Sequence, residues 1–294
     1  MNIMNSKLAF QPATPTPDKR SDNIGSLLLD MGKLTPEDAE RVLRLQKIEG
    51  LRFGDAALKL GLVSEDDIRL ALSLQFDYPY LQPGQGDFDA ELVAAYQPFS
   101  AQVEALRALR SQLLLRWFGE GRKTLALVSA NPDEGCSRLA ANLAVVFSQL
   151  GEHTLLIDVN LREPRQHKIF RLGQTRGLSD ILAGRSGIET ITRVEPFVNL
   201  SVLGAGTTPP NPQELLARPA FTELMNHATG HYDVILVDTP PLSQNSDALP
   251  AAAKCHGALL VSRLNRTRVT ELASVREQIT LSGARIVGAV VNDF

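Results

Sequence analysis

The chain has 294 residues, a formal net charge of −3 and two cysteines. The nearly balanced charge gives no indication of a nucleic acid polymer or an anionic lipid surface as a partner. Two cysteines without motif spacing predict neither a disulfide framework nor a zinc site. The sequence has no run of about 18 apolar residues that would predict a membrane span, and no secretory signal peptide at its first residues, so we expect a cytosolic protein.

Composition divides the sequence into four segments. Residues 1–22 are polar and contain several prolines, which predicts disorder. Residues 23–81 predict a small helical domain, and the proline and glycine residues within 82–100 predict a linker. Residues 101–294 are long enough for one sizeable α/β core, so we expect two folded domains.

An internal repeat lies within the predicted helical domain. Two units of equal length, residues 23–46 and 52–75, place the same residue types at equivalent positions. Each unit predicts a short helix, a glycine turn, an N-cap followed by acidic residues at Thr35 or Ser64, and a second helix. The equivalent pairs are Gly25 and Gly54, Gly32 and Gly61, Leu43 and Leu72, and Gln46 and Gln75.

This repeat resembles the tandem-motif domain at the N-terminus of type II secretion and pilus ATPases, some members of which bind cyclic di-GMP. The motif of that family begins Arg-Leu-Gly, which Arg52 and Gly54 match in the second unit, whereas the first unit has Asn23 in place of the arginine. A protein-docking module of the same fold is the alternative. The residues that the resemblance implies as a cyclic di-GMP site are Arg52, Gly54, Gly61 and Gln75.

A strand, a loop and a helix are predicted in succession from residue 124. The apolar run of residues 124–128 is typical of a parallel strand that is buried on both faces. A helix is predicted from Ser137, and its first N–H groups would lie at the loop and favour an anion. The pattern resembles a phosphate-binding loop, with Cys136 in the place of the usual lysine. The candidate nucleotide-binding residues of this segment are Asn131, Pro132, Asp133, Glu134, Gly135, Cys136, Ser137 and Arg138.

Two further apolar strands end in aspartate, at Asp158 and Asp238. An aspartate at a strand end can simply cap the next helix. Three such strand ends in succession instead favour a ligand site, because ligands of a doubly wound sheet lie outside the carboxyl ends of its strands. The sequence therefore predicts an α/β, doubly wound, mostly parallel sheet of the P-loop NTPase type, with magnesium near these carboxylates and near Ser137.

Together these segments resemble the bacterial tyrosine kinases of the P-loop class, over about residues 102–294. The match to the family's motifs lies at Asp158, Arg162 and Asp238. Ahead of the first strand, a further match is to the Glu-x-x-Arg-x-x-Arg helix that packs neighbouring subunits of that family into rings. The residues of this predicted helix, which share one face, are Glu104, Arg107 and Arg110.

The resemblance implies a binding site for ATP and Mg²⁺, with the metal at Ser137 and Asp238 and the base near Asn292. It implies Asp158, Asp238 and Arg162 as catalytic residues, with Asp158 near the attacking hydroxyl. It also implies a homo-oligomer that regulates exopolysaccharide polymerisation or export. Such a protein would be cytoplasmic and peripheral to the inner membrane, through a separate membrane-bound chain-length determinant protein.

The departures from the family pattern leave other functions open. Cys136 and Asn160 remove charges that would hold phosphate and magnesium, and the chain has no tyrosine-rich tail. We therefore expect weak nucleotide binding, and a non-catalytic assembly factor that responds to nucleotide or cyclic di-GMP is the alternative. An ATPase of the MinD class is a third candidate, although Asn131 occupies the place of its signature lysine. Cys136 itself is interpreted as a small substitute rather than a reactive thiol.

Overall fold

A computed structural model of the chain describes residues 23–75, 81, 86–173 and 175–293. The chain forms two compact units that divide between residues 78 and 79. The predicted disorder of residues 1–22 lies outside the described residues, as does the part of the predicted linker at residues 82–85.

The first unit is built from helices, in the order that the repeat predicts. In each repeat a short helix is followed by a tight turn and a longer helix. The helices are α1 (Ile24–Asp30), α2 (Pro36–Glu49), α3 (Phe53–Lys59) and α4 (Glu65–Gln75).

Equivalent caps begin the longer helix of each repeat. Thr35 Oγ1 accepts a hydrogen bond from the N–H of Asp38, and Ser64 Oγ accepts one from the N–H of Asp67, both at 3.2 Å. Each acid in turn accepts from the backbone N–H of its cap residue. Such reciprocal caps satisfy N–H groups that the first helical turn leaves without a partner, which explains the predicted helix starts.

The repeated glycines of this unit have roles within the fold itself. A Cβ at Gly25 would lie 3.1 Å from the Phe53 ring, and one at Gly54 would lie 3.4 Å from Ile68. Gly32 and Gly61 both have a φ of +66°, the left-handed conformation that glycine adopts without strain. Close packing and turn geometry therefore account for these glycines without a ligand.

The second unit contains, within the described residues, a seven-stranded sheet in the order β3-β4-β2-β5-β1-β6-β7. Only the pairing of β3 with β4 is antiparallel, which confirms the predicted mostly parallel α/β sheet. The strands are β1 (Thr124–Ser129), β2 (Thr154–Asp158), β3 (Thr192–Arg193), β4 (Leu200–Leu203), β5 (Val234–Asp238), β6 (Gly257–Arg263) and β7 (Arg285–Asn292).

Helices cover both faces of this sheet, so the central strands β1, β2 and β5 are buried along their whole length. Short 3₁₀ helices also occur at Phe118–Glu120 and Ile188–Thr190. The α-helices are α5 (Val93–Tyr96), α6 (Ala101–Arg116), α7 (Cys136–Gln149), α8 (Gln166–Ile169), α9 (Leu178–Leu182), α10 (Pro212–Leu216), α11 (Pro219–His231), α12 (Ala248–Cys255) and α13 (Val269–Leu281).

Residues 86–100, which the sequence suggested as part of a linker, are packed against the α/β core. Leu92, Ala94 and Ala95 are fully buried there. The Asn142 side chain of α7 accepts a hydrogen bond from the N–H of Ala94 and donates one to the carbonyl of Glu91, both at 2.8 Å. The glycine and proline content therefore marked a turn-rich part of the folded unit rather than a free connection.

Helices of membrane-spanning length and apolarity are absent from the described part of the chain.

Candidate functional site

The loop between β1 and α7 has the backbone of an anion-binding cradle. Gly135 has a φ of +81° and precedes α7, which begins at Cys136, one residue earlier than predicted. Asp133 also has a positive φ, of 60°. The first N–H groups of a helix have no partner within it, so those of Cys136 and Ser137 are directed to the loop. This arrangement attracts an anion through backbone dipoles alone.

Glu134 fixes the shape of this loop from the inside. Its buried carboxylate accepts hydrogen bonds from the N–H groups of Ala130 and Asn131 and from Thr267 Oγ1, at 2.9, 3.1 and 2.5 Å. The Asn131 side chain donates to Glu134 and, at 3.0 Å, to Glu271 of α13. These two predicted nucleotide-binding side chains therefore hold the loop, and the carboxylate of Glu134 is already fully engaged.

A cavity of about 780 Å³ lies over the loop, at the carboxyl ends of the central strands. It brings together most of the predicted phosphate-binding residues with Arg162, and it adds basic residues that the sequence did not indicate. Its lining includes Asn131, Pro132, Asp133, Glu134, Gly135, Cys136, Ser137, Asn160, Arg162, Arg165, His167, Lys168 and Thr239.

Asp158 and Asp238 form a fully buried pair behind this cavity. They are direct neighbours across the parallel strands β2 and β5. Burial and the charge of Asp238 raise the pKa of Asp158 to about 8, and burial raises the pKa of Asp238 to about 6. Two carboxylates this close resist ionising together unless a cation compensates them.

The two carboxylates have different surroundings. Asp158 accepts hydrogen bonds from the N–H groups of Asn160, Arg165 and Gln166, at 3.0–3.1 Å, so both its oxygens hold the segment after β2. It is not among the cavity-lining residues. Asp238 Oδ1 is buried and accepts no hydrogen bond of normal geometry, although the side chains of Ser137 and Cys136 lie close enough to the carboxylate to lower its pKa. A buried carboxylate oxygen without a good hydrogen bond is costly, and a cation bound at Asp238 would offset that cost.

Gln166 is a functional candidate that sequence reasoning missed. Its buried amide donates to Asp238 Oδ2 at 2.7 Å and to the carbonyl of Ser137 at 3.0 Å. The side chain thereby joins the carboxylate pair to the start of α7. Its position just after the Asp158 segment was the only available signal, and its direction depends on the fold of that segment.

The side-chain oxygens of Ser137 and Asp238 are suitable ligands for a magnesium ion. Carboxylate and hydroxyl oxygens are the ligands that Mg²⁺ takes, usually with several waters and substrate phosphates. Asp238 Oδ1, which accepts no hydrogen bond of normal geometry, supplies the charge and the coordination position that such an ion needs. Ser137 lines the adjacent cavity. The metal would neutralise phosphate charge there.

Cys136 is not an activated thiol. The residue is 7% exposed, and burial together with the charge of Asp238 raises the pKa of its thiol well above the usual value. These surroundings support the interpretation of Cys136 as a small substitute rather than a reactive thiol, because desolvation and a neighbouring carboxylate outweigh the helix dipole.

The two predicted arginines and the residue predicted to contact the nucleotide base, Asn292, line two different cavities. Arg162 lines the cavity and its Nε donates to the buried Asp247 at 2.8 Å. Arg138 and Asn292 instead line a different cavity of about 520 Å³, against α6 and β7. The Asn292 side chain donates to the carbonyl of Glu134 at 2.8 Å, so it also braces the loop.

The predicted assembly residues lie on α6, away from the loop cavity. Glu104 and Arg107 form an ion pair along the helix. Arg110 Nη1 donates to the carbonyl of Val146 near the end of α7, at 2.6 Å. Arg110 thus also supports the packing of the unit. The candidate cyclic di-GMP residues belong to the first unit, where Arg52 and Gln75 are exposed.

Comparisons with known proteins find relatives of this chain. The chain matches no protein-family model. It is 35% identical over 196 residues to the putative tyrosine-protein kinase CapB of Staphylococcus aureus, covering 67% of this chain and 86% of that protein. It is 35% identical over 201 residues to the tyrosine-protein kinase YwqD of Bacillus subtilis, covering 68% and 85%. The tyrosine-protein kinase Etk of Escherichia coli is 32% identical over 200 residues, which are 28% of Etk.

Solved structures give the same result. The chimerical protein CapA2B2 superposes with a TM-score of 0.66 at 31% identity, over 78% of this chain and 98% of the other. The Etk kinase domain has a TM-score of 0.66 at 32% identity, over 69% and 79%. MinD of Pyrococcus horikoshii, at 24% identity and a TM-score of 0.51, shares the fold. The chain belongs to the bacterial tyrosine-protein kinase family.

Proposed function

We propose that the chain binds ATP with Mg²⁺ at the loop cavity, more weakly than a kinase with the usual lysine. The observation that carries this proposal is the buried carboxylate oxygen of Asp238, without a hydrogen bond of normal geometry, beside a loop whose N–H groups are directed at an anion. The loop N–H groups bind the phosphates, and Ser137 and Asp238 hold the metal. Arg165 and Lys168, which line the same cavity, add positive charge near the phosphates.

The reaction that this site supports is phosphoryl transfer to a tyrosine. The tyrosyl oxygen forms a bond to the γ-phosphorus, and the bond from that phosphorus to the bridging oxygen breaks, so that ADP leaves. The tyrosyl proton passes to water in the open cavity. Because this chemistry relies on charge stabilisation, the uncharged Cys136 is expected to slow transfer as well as to weaken binding.

The partner that we propose is a separate membrane-bound chain-length determinant protein of exopolysaccharide biosynthesis. The chain would act at the cytoplasmic face of the inner membrane, through that partner, and would assemble with copies of itself. The residues Glu104, Arg107 and Arg110 of α6 support this part of the proposal, because they match the ring-forming helix of the family.

A transfer assay tests the proposed activity. Full-length protein is incubated with γ-labelled ATP, Mg²⁺ and a glutamate-tyrosine copolymer, with and without the cytoplasmic segments of the membrane partner. We expect slow label transfer to tyrosine that Asp238→Asn abolishes, whereas Asp293→Asn, at an exposed site, leaves it unchanged. Absence of transfer under all of these conditions, with ATP still bound, would contradict a kinase.

A non-catalytic assembly factor is the second candidate, favoured by the buried, uncharged thiol of Cys136 at the lysine position. In that case nucleotide would change the assembly of the chain without phosphoryl transfer. Sedimentation of the full chain with and without ATP and Mg²⁺ separates the two: a nucleotide-dependent change of mass without transfer supports the assembly factor.

A further inference from the structure

A pair of histidines lies on the exposed face of α11, near its C-terminal end. His227 and His231 are four residues apart, so they share one face of the helix, and both are exposed to solvent. Their rings lie side by side, with 4.3 Å between the centroids and 28° between the planes. Neither residue lines the loop cavity, and the proposed ATP site makes no use of this pair.

The hydrogen bonding of His231 leaves one of its ring nitrogens available to a ligand. Its Nδ1 lies 2.9 Å from the carbonyl oxygen of His227. A carbonyl oxygen can only accept a hydrogen bond, so Nδ1 carries the proton and Nε2 of the neutral ring keeps its lone pair. A histidine that binds a metal usually has this arrangement, in which the second nitrogen donates to a carbonyl or a carboxylate. His231 is therefore held in the tautomer that a metal at Nε2 requires.

The backbone that carries this pair is fixed by its contacts with the rest of the unit. Met225 and Ala228 of the same helix are buried in the α/β core. At the end of the helix, Lys123 Nζ donates to the carbonyls of Thr229 and Tyr232, at 2.9 and 3.1 Å. A fixed backbone lowers the ordering cost of bringing two side chains to one ion.

Two imidazoles at this spacing suit a divalent transition-metal ion. Two nitrogens bound to one tetrahedral Zn²⁺ at about 2.0–2.1 Å lie roughly 3.3 Å apart, a separation that small rotations of rings with centroids 4.3 Å apart can reach. Imidazole nitrogen suits zinc, copper and nickel, whereas Mg²⁺ prefers oxygen ligands. The described residues include no group of three or more histidine, cysteine or acidic side chains that could hold a metal, so water completes the coordination here.

We propose that His227 and His231 form a binding site for a divalent transition-metal ion such as Zn²⁺, with Nε2 of His231 and a ring nitrogen of His227 as its protein ligands. The site is separate from the proposed nucleotide site. α11 ends just before Val234, the first residue of β5, whereas Asp238 is the last residue of that strand. The two sites therefore lie at opposite edges of the sheet. A bound ion joins successive turns of α11 and stabilises the folded chain.

Calorimetric titration of the full-length chain with Zn²⁺, in buffer that contains excess Mg²⁺, tests the site. His227→Ala removes one of the two ligands. The matched variant combines Asn226→His with His227→Ala: it keeps two histidines on the exposed part of α11, but five residues apart and so on different faces. His153→Ala is the control for an unrelated exposed histidine, which pairs with Asp233.

We expect the wild type and His153→Ala to bind Zn²⁺ with equal affinity. His227→Ala and the matched double variant should bind it at least about tenfold more weakly, because the second imidazole no longer acts on the same ion at a high effective concentration. Equal affinity of the double variant and the wild type overturns the inference. Loss of binding in His153→Ala also overturns it, since the ion would then lie at that histidine.

Urea denaturation, followed by the fluorescence of the buried Trp117, gives a second readout. Zn²⁺ should raise the midpoint of the wild type and leave that of the double variant unchanged. Both chains contain the same number of histidines, so zinc binding to their unfolded states is alike and does not affect the comparison. A midpoint that Zn²⁺ leaves unchanged in the wild type, or raises equally in both chains, contradicts the site. None of these measurements involves ATP, so such a result leaves the proposed function standing.

Discussion

Position 136 is where the chain departs most from a phosphate-binding loop. Cys136 is buried at the first turn of α7, with its thiol kept neutral by burial and by Asp238. The backbone around it keeps the cradle geometry, with Gly135 at a φ of +81°. The charge of the usual lysine is therefore missing, while the dipolar part of the site is preserved.

Restoring that charge should tighten ATP binding. In Cys136→Lys, one added charge-assisted contact to phosphate is worth on the order of 1.5–3 kcal/mol, or up to about a hundredfold in affinity. Cys136→Met, of comparable length but uncharged, is the control, and calorimetry with ATP and Mg²⁺ is the measurement. Equal affinity of Cys136→Lys and Cys136→Met would mean that a residue such as Lys168 already supplies the charge.

The carboxylate pair predicts a pH dependence of stability. The folded pKa values of Asp158 and Asp238, about 8 and about 6, lie above the value of roughly 3.9 for an unfolded aspartate. The folded state therefore holds more protons than the unfolded state between about pH 4 and pH 8. The contribution of this pair to the free energy of unfolding is most favourable below about pH 4 and falls as the pH rises through this range.

Asp238→Asn should relieve this cost. We expect it to raise the free energy of unfolding near pH 8 by on the order of 1–3 kcal/mol, with little change near pH 4, while it weakens binding of ATP with Mg²⁺. The fluorescence of Trp117, the one tryptophan of the chain and a core residue of the α/β unit, reports this transition during denaturation. Exposed Asp293→Asn is the control. Equal stability of Asp238→Asn and wild type near pH 8 would contradict the raised pKa values of the two buried carboxyl groups.

One residue of the predicted assembly face of α6 supports the packing of the α/β unit itself. Sequence spacing put Glu104, Arg107 and Arg110 on one face and suggested a single role in assembly. In the structure, Arg110 reaches the carbonyl of Val146 on α7. The spacing alone could not show this contact, because it depends on where α7 ends against α6.

Assembly is therefore tested at Arg107 rather than at Arg110. We expect Arg107→Glu to lower the oligomeric state in sedimentation without unfolding the chain, because it reverses a charge that matches the ring-forming motif. Arg116→Glu, an exposed position on the same helix, is the control. A wild type that is monomeric at tens of micromolar, even with the cytoplasmic segment of the proposed membrane partner, would exclude the proposed assembly.

The helical repeats were largely predictable, since their caps and turns are local.

Binding of cyclic di-GMP to the helical repeats stays a prediction. We expect weak binding that Arg52→Ala abolishes and Asn23→Arg strengthens, because a guanidinium can meet a guanine edge with two hydrogen bonds. Asn23 also caps α1 through the N–H of Ser26, so Asn23→Ala is needed to separate the lost cap from the gained arginine. An NMR spectrum of the full chain that saturating cyclic di-GMP leaves unshifted, in wild type and Asn23→Arg alike, would favour a docking module.

At the scale of the whole molecule, the sequence predicted the sheet and the strand ends that carry Asp158 and Asp238, because buried parallel strands have a strong apolar signal. It did not predict that the Asp158 carboxylate accepts hydrogen bonds from backbone N–H groups. It also did not predict that the Gln166 side chain links Asp238 to α7 by hydrogen bonds. Those contacts arise from the path of the chain after β2, which has no periodic pattern. Residues 86–100 were predicted as part of a linker because they contain turn residues. Turn residues do not show whether a segment packs against the core, as this one does.

Calorimetric titration of the full-length chain with ATP, in the presence and absence of Mg²⁺, tests whether the loop and Asp238 form a nucleotide site. We expect weak binding that requires Mg²⁺ in the wild type and that loses its Mg²⁺ dependence in Asp238→Asn. No heat of binding at millimolar ATP, or equal affinity with and without Mg²⁺ in the wild type, would contradict this expectation.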